Sequence, residues 1–186
     1  IKDEVKIEDL GNFLSELEDF SYIYKDLTEK NSKNKVIKYF DIKRNQQIKS
    51  LLCAIKVLAD KGVITEKTKE EALNQLLNFF FIFNATQQTS NKTDKAISRI
   101  SFDVYHCSYE NEFKIKISEF LYSINHYICN KDPKPIFETN QSFKYSNKDK
   151  TFKRNGALVK YVLEQIYIKN QGDTVLDTSL LTIEHL

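Results

Sequence analysis

Residues 70–83 read Glu70-Glu71-Ala72-Leu73-Asn74-Gln75-Leu76-Leu77-Asn78-Phe79-Phe80-Phe81-Ile82-Phe83. Ala72, Leu73, Leu76, Leu77, Phe80, Phe81 and Phe83 recur at three and four residues, which is the period of a helix. They cover most of its circumference, and a helix apolar nearly all round belongs in a core. This helix is therefore expected at the centre of the fold. Thr65 or Thr68 can open it, and Thr68 with Glu71 three residues on fits a capping box.

Working outward, the same period recurs on both sides. Leu10, Phe13, Leu14, Leu17, Phe20, Tyr24 and Leu27 mark a helix over about 8–28, which Asn31-Ser32-Lys33-Asn34 breaks. Ile48, Leu51, Leu52, Ile55, Leu58 and Ala59 mark a second over 44–61, with Gly62 at its left-handed C-terminus. Downstream, helices are expected over 92–109 (Ile97, Ile100, Val104) and 112–130 (Phe113, Ile117, Phe120, Ile124). Asp132-Pro133-Lys134-Pro135 ends the latter. Residues 136–154 mix polar and aromatic side chains and show no clear period. Leu158, Tyr161, Val162 and Ile166 carry a sixth helix from Asn155 or Gly156 to Asn170. The apolar tail from Leu180 to Leu186 reads as a strand. The fold class is thus all-α, a bundle of about six amphipathic helices over 1–172, with 173–186 beginning something else.

The 186 residues are 41% hydrophobic and 29% charged, the composition of a soluble domain that needs no disulfide or metal to fold. Four glycines leave no room for a G-x-G-x-x-G or Walker loop. Three scattered cysteines (Cys53, Cys107, Cys129) point to a reducing compartment, and a cytoplasmic location is expected. No apolar run is long enough to span a membrane. The absence of Met, and an end inside an unfinished element, lead to the expectation that this is a piece of a longer chain.

Formal charge is only +2, but it is unevenly placed. Residues 1–29 carry nine acids against three lysines. Residues 30–49 carry Lys30, Lys33, Lys35, Lys38, Lys43, Arg44 and Lys49 against Asp41 alone. Residues 141–160 hold Lys144, Lys148, Lys150, Lys153, Arg154 and Lys160 against Asp149. Cations with Tyr39, Phe40, Phe143, Tyr145 and Phe152 interleaved can track a phosphate backbone and stack bases. The plainer reading of each block is a solvated lysine-rich surface, or pairing with the acidic block. His106, Cys107, His126 and Cys129 read as core or boundary residues in mid-helix rather than a zinc site, which needs four convergent ligands.

The end of the chain, Leu181-Thr182-Ile183-Glu184-His185-Leu186, delivers an acid and an imidazole side by side. It resembles the opening of the HNH (ββα-metal) motif of GmrSD-type, modification-dependent restriction endonucleases, where an apolar strand ends in Ile-Glu-His. The resemblance extends over residues 40–186, through the helix and Lys-Gly turn at 48–65, the aromatic helix and Thr-Ser-Asn-Lys at 73–100, and Phe143-Lys144-Tyr145. It departs at Phe81-Ile82-Phe83-Asn84, where the family commonly has an arginine. The ParB-like Asp-Gly-Gln-Gln-Arg signature and the later HNH Asn and His are not among these residues.

The resemblance implies a helical region between an N-terminal ParB-like nucleotide-handling domain and a C-terminal nuclease, serving phage defence through DNA cleavage. It implies that His185 is a general base and Glu184 an acidic ligand of Mg²⁺ or Mn²⁺ in the complete protein, with no cofactor expected in this piece alone. DNA is the implied partner, held by Lys144, Lys148, Lys150, Lys153 and Arg154, or by 30–49. For His185 the alternative is a tag or vector remnant. For the whole chain it is a helical protein–protein interaction domain with no nuclease attached, a homo-oligomer that buries the aromatic run 79–83 in a dimer.

Overall fold

The helix that decides the fold forms as α4, Glu66–Ala85, in the computed structural model, which describes residues 9–28, 34–86, 88–171 and 182–183. Thr65 caps it, its hydroxyl accepting from the Thr68 N–H at 3.2 Å. The expected capping box is absent, because the Thr68 hydroxyl instead donates to Glu110 at 2.8 Å. Leu76, Phe80 and Phe83 are wholly buried. Phe79, Phe80 and Phe83 pack with ring centroids 5.2–5.9 Å apart, and Phe40 meets Phe80 edge-on. Within the run 79–83, Phe79, Phe80 and Phe83 are core, while Phe81 and Ile82 are half-buried.

Around α4 stand α1 (Leu10–Thr28), α2 (Lys35–Ile42), α3 (Ile48–Asp60), α5 (Asp94–Tyr105), α6 (Glu110–Ile124), α7 (Pro133–Thr139), α8 (Lys150–Lys153) and α9 (Gly156–Gln171). Short 3-10 turns lie at Ser90–Lys92, Asn125–Tyr127 and Gln141–Phe143. The fold is all-α; among the described residues there is no strand, and no helix is long and apolar enough to cross a membrane. Thr182 and Ile183 lie outside any strand, and the rest of the expected strand at 180–186 falls outside the described residues.

The more enclosed helix is α3 rather than α4. Ile48, Leu51, Leu52, Cys53, Ala54, Ile55, Val57 and Leu58 are all buried, covering nearly its full circumference. Small side chains let α5 approach closely, with the Ser50 and Ser101 hydroxyls 2.9 Å apart. Helices α1 and α4 pack against its other sides. The six long expected helices are present, joined by three shorter ones.

Two of the short helices sit where the sequence pointed elsewhere. Asn34, read as a breaker, caps α2, its Oδ1 accepting from the Val36 and Ile37 N–H groups at 2.9 and 3.4 Å. Val36, Tyr39 and Phe40, spaced three and four apart, are at most 1% exposed. Asp132-Pro133, read as a helix end, opens α7: Asp132 caps it, and Pro133 lacks an N–H only where the first turn needs none. The preceding helix already stops at Ile124, so His126 lies in a 3-10 turn and His106 at the end of α5, not mid-helix.

The ends of α2 and α3 are built alike. In each, the residue two beyond the last helical position is left-handed, Arg44 at φ 54° and Gly62 at φ +72°. In each, the next two N–H groups reach back to helix carbonyls: Arg44 to Asp41 and Asn45 to Phe40, Gly62 to Ala59 and Val63 to Leu58. This is the Schellman arrangement, which normally takes glycine. Arginine there costs about 1–2 kcal/mol of backbone strain relative to glycine.

Candidate nucleic-acid interface

The segment 140–156 begins against the C-terminal end of α4 and is pinned at both ends. At its start Asn140, buried, donates through Nδ2 to the Ala85 carbonyl at 2.8 Å and accepts from the Ser142 N–H. Phe143 turns inward, its ring 5.9 Å from Phe81 and 5.2 Å from Phe137. At its end Asn155 Nδ2 donates to the carbonyls of Gln141 and Lys144, at 2.8 and 2.9 Å. Tyr145 lies on Gly156 so closely that a Cβ there would come within 3.2 Å of the ring.

Between these anchors the backbone is held by short polar side chains. Ser146 accepts from the Lys148 and Asp149 N–H groups, and Asp149 caps α8 by accepting from the Thr151 N–H at 2.8 Å. The one acid of the block is thereby turned onto backbone. Lys144, Lys148, Lys150, Lys153 and Arg154 are all exposed. Among the described residues none of the five pairs with a carboxylate. One helical turn sets Lys150, Lys153 and Arg154 on one side, since residues three and four apart are neighbours.

The first basic block is used differently. Lys49 is buried and pairs with Asp41 at 3.0 Å, and Lys38 pairs with Glu164 of α9. Glu164 is only 2% exposed; its second oxygen has no hydrogen-bond partner, though Lys160 Nζ lies 3.9 Å from it. Tyr39 and Phe40 are core, and the Tyr39 hydroxyl donates to the Phe80 carbonyl while accepting from Asn84 Nδ2. Burial raises the Tyr39 pKa well above the phenol range. Tyr161, whose ring is 5.6 Å from Tyr39, is pushed up to about 12 by burial and by the Glu164 charge. Neither ring is free to stack a base.

The two blocks nevertheless meet. Lys43, half-buried and with its pKa lowered by that burial, lines a cavity of about 10 Å³ together with Asn140, Ser142 and Phe143. Exposed Arg44 follows it, so the end of α2 adjoins the start of the second block. Sequence spacing gives no hint of this junction, because a hundred residues separate its halves. No sequence signal marks Arg44; its left-handed backbone is visible only in the fold.

Of the residues proposed from the HNH resemblance, Glu184 and His185 lie outside the described residues. Ile183, immediately before them, is described: its Cδ1 lies 3.7 Å from where a Gly156 Cβ would be, on the same spot as Tyr145. Among the described residues no three His, Cys, Asp or Glu side chains converge as a group able to hold a metal ion. His106 and His126 are exposed, each with its Nδ1 bonded to a carbonyl of its own turn. The Cys53 thiol is pushed up to about 11 by burial, which keeps it protonated and unreactive. Compared with protein-family models, with curated proteins and with solved structures, this chain matches none.

Proposed function

We propose that this chain is the helical, DNA-holding region of a DNA-cleaving protein of the GmrSD type, joining a nucleotide-handling half to an HNH nuclease half. One observation carries the reading. Ile183, the residue leading into Glu184-His185, packs at Gly156 and Tyr145, which are chain neighbours of Arg154 and Lys144. A phosphate backbone lying on the five exposed cations would run beside the chain that continues into the acid and the imidazole. In this reading His185 takes a proton from water attacking the phosphodiester, and Glu184 is its acidic neighbour. The remaining groups of such a site come from elsewhere in the protein, so this chain alone is inactive.

The test is the salt dependence of DNA binding after Lys148, Lys150, Lys153 and Arg154 are replaced together by Ala. Each phosphate neutralised contributes about 0.9 to the slope of log affinity against log salt, so the variant should lose up to about 3.6. All four side chains are exposed, and the helical circular dichroism should stay as it was. An unchanged slope overturns the reading.

A second reading, a helical protein–protein interaction module, is favoured by a different surface from the aromatic run. Leu10, Phe13, Leu14 and Leu17 form one stripe on the first half of α1 and are 45–54% exposed. If the stripe joins two copies, Leu14→Asp with Leu17→Asp turns a dimer into a monomer in sedimentation, with DNA binding unchanged.

A further inference from the structure

We infer that α1 is a docking site for a positively charged amphipathic helix of another protein; this stands apart from the DNA reading above. The helix carries two apolar faces. Phe20, Ile23 and Leu27 turn the first onto the core, where α1 packs against α3. Leu10, Leu14, Leu17 and Tyr24 fall on a second face, about 100° around the axis from the first. These four are 43–54% exposed, and Phe13 beside them is 45% exposed. Their spacings of four, three and seven residues are those of a seam between two helices. From Leu10 to Tyr24 the seam runs about 21 Å, which about four turns of a partner helix would cover. The core makes no use of this face, and an uncovered apolar stripe of this length marks an interaction surface.

Charge selects the occupant. Residues 9–19 hold Asp9, Glu16, Glu18 and Asp19 and no lysine or arginine. All four acids are exposed, and among the described residues none of them is in a salt bridge. Glu16 and Glu18 stand on opposite sides of Leu17, each turned about 100° from it. Charges that flank an apolar seam decide which helix pairs with it. A second copy presenting its own α1 would set four carboxylates against four with no cation among them, so self-pairing is disfavoured. An anionic lipid surface is repelled for the same reason, since helices that lie on membranes carry lysine and arginine on their polar face. The complementary partner is a helix whose apolar stripe is flanked by lysine or arginine.

The experiment is fluorescence anisotropy of the chain with a labelled, helix-forming peptide of about 18 residues whose leucine stripe is flanked by lysines. It is repeated with the same peptide carrying glutamate in place of each lysine. The inference expects the lysine peptide to bind at least about tenfold tighter than the glutamate peptide. Leu14→Asp with Leu17→Asp should weaken that binding more than about tenfold, because each leucine side chain buried at the seam contributes about that factor. Both leucines are exposed, so the helical circular dichroism of the variant should match that of the parent. A purely ionic contact would respond in the opposite sense, since the variant adds two negative charges. Unchanged or tighter binding by the variant therefore overturns the inference. So does equal binding of the two peptides, or no binding of the lysine peptide. A dimer of the free chain that the same two substitutions dissociate also overturns it, and assigns the stripe to a second copy.

Discussion

The basic stretches 35–49 and 144–154 carry similar charge and similar aromatic residues, and the fold uses them in opposite ways. In the first, Lys38 and Lys49 are taken by Glu164 and Asp41, and Tyr39 and Phe40 become core. In the second, Asp149 is spent on capping α8, Phe143 packs with Phe81 and Phe137, and five cations face solvent. The difference lies in what meets each cation. Spacing of three and four between Val36, Tyr39 and Phe40 rolls α2 into the core and carries Lys38 to the buried Glu164. No such triplet exists between 144 and 154, so that stretch lies across the surface.

The largest test of this contrast is on stability. Lys38→Met leaves Glu164 buried, with Lys160 3.9 Å away. Removing one partner of a fully buried pair costs about 3–5 kcal/mol; Lys38 is 40% exposed, so a loss of about 2 kcal/mol is expected from the urea midpoint. Adding Glu164→Leu should recover most of it. Lys150→Met should stay within about 0.5 kcal/mol. Equal effects from the two lysines would erase the distinction.

Next comes the paired Schellman ends, where the same backbone holds glycine once and arginine once. Gly62→Ala should cost about 1 kcal/mol, since no L residue is at ease there. Arg44→Gly should relieve that strain but lose about 0.5–1 kcal/mol to the freer unfolded glycine, a net gain of about 0.5 kcal/mol, while lowering the DNA salt slope by about 1. A slope that does not move would remove Arg44 from the interface and confine it to the second block.

A smaller effect sharpens the rule that pairing, not formal charge, sets a residue's role. Glu110 accepts from Lys114 at 2.6 Å, from the Thr65 N–H at 3.0 Å and from the Thr68 hydroxyl at 2.8 Å. With Lys114 the largest cause, these hold its pKa near 2, against 4.5 for the free group. Because the folded value is the lower one, its contribution is full above about pH 4.5 and is lost as pH falls through about 2. Glu110→Gln should flatten the acid limb of the stability–pH curve in that window. An unchanged limb would show that the Lys114 and threonine contacts do not act on folding.

Much of the helical frame was legible because amphipathic period survives in long elements: α1, α3, α4, α5, α6 and α9 all follow from the spacing of apolar residues. Thr65 and Gly62 were legible for local reasons, a side-chain cap and a left-handed turn. The short helices were not. Asn34 and Asp132-Pro133 are as good at starting helices as at ending them, and only the apolar residues that follow decide which. The enclosure of α3 was hidden because Ser50, Cys53 and Ala54 look unremarkable until α5 packs on them. Lys144, Lys148, Lys150, Lys153 and Arg154 could be picked out as a charged run, but not their freedom from carboxylates. That depended on where Glu164 and Asp149 turned. Nothing in a linear reading joins Lys43 and Arg44 to Ser142 and Phe143.

In the proposed reading one basic stretch faces DNA while the other serves the fold. Lysine acetylation of the intact chain, read by mass spectrometry with and without a DNA duplex, tests it most directly. Lys144, Lys148, Lys150 and Lys153 should react readily in the free chain and be protected by DNA, while Lys49 should react little in either state. Equal reactivity of these lysines with and without DNA, or protection spread evenly over the exposed lysines of the whole chain, would contradict it.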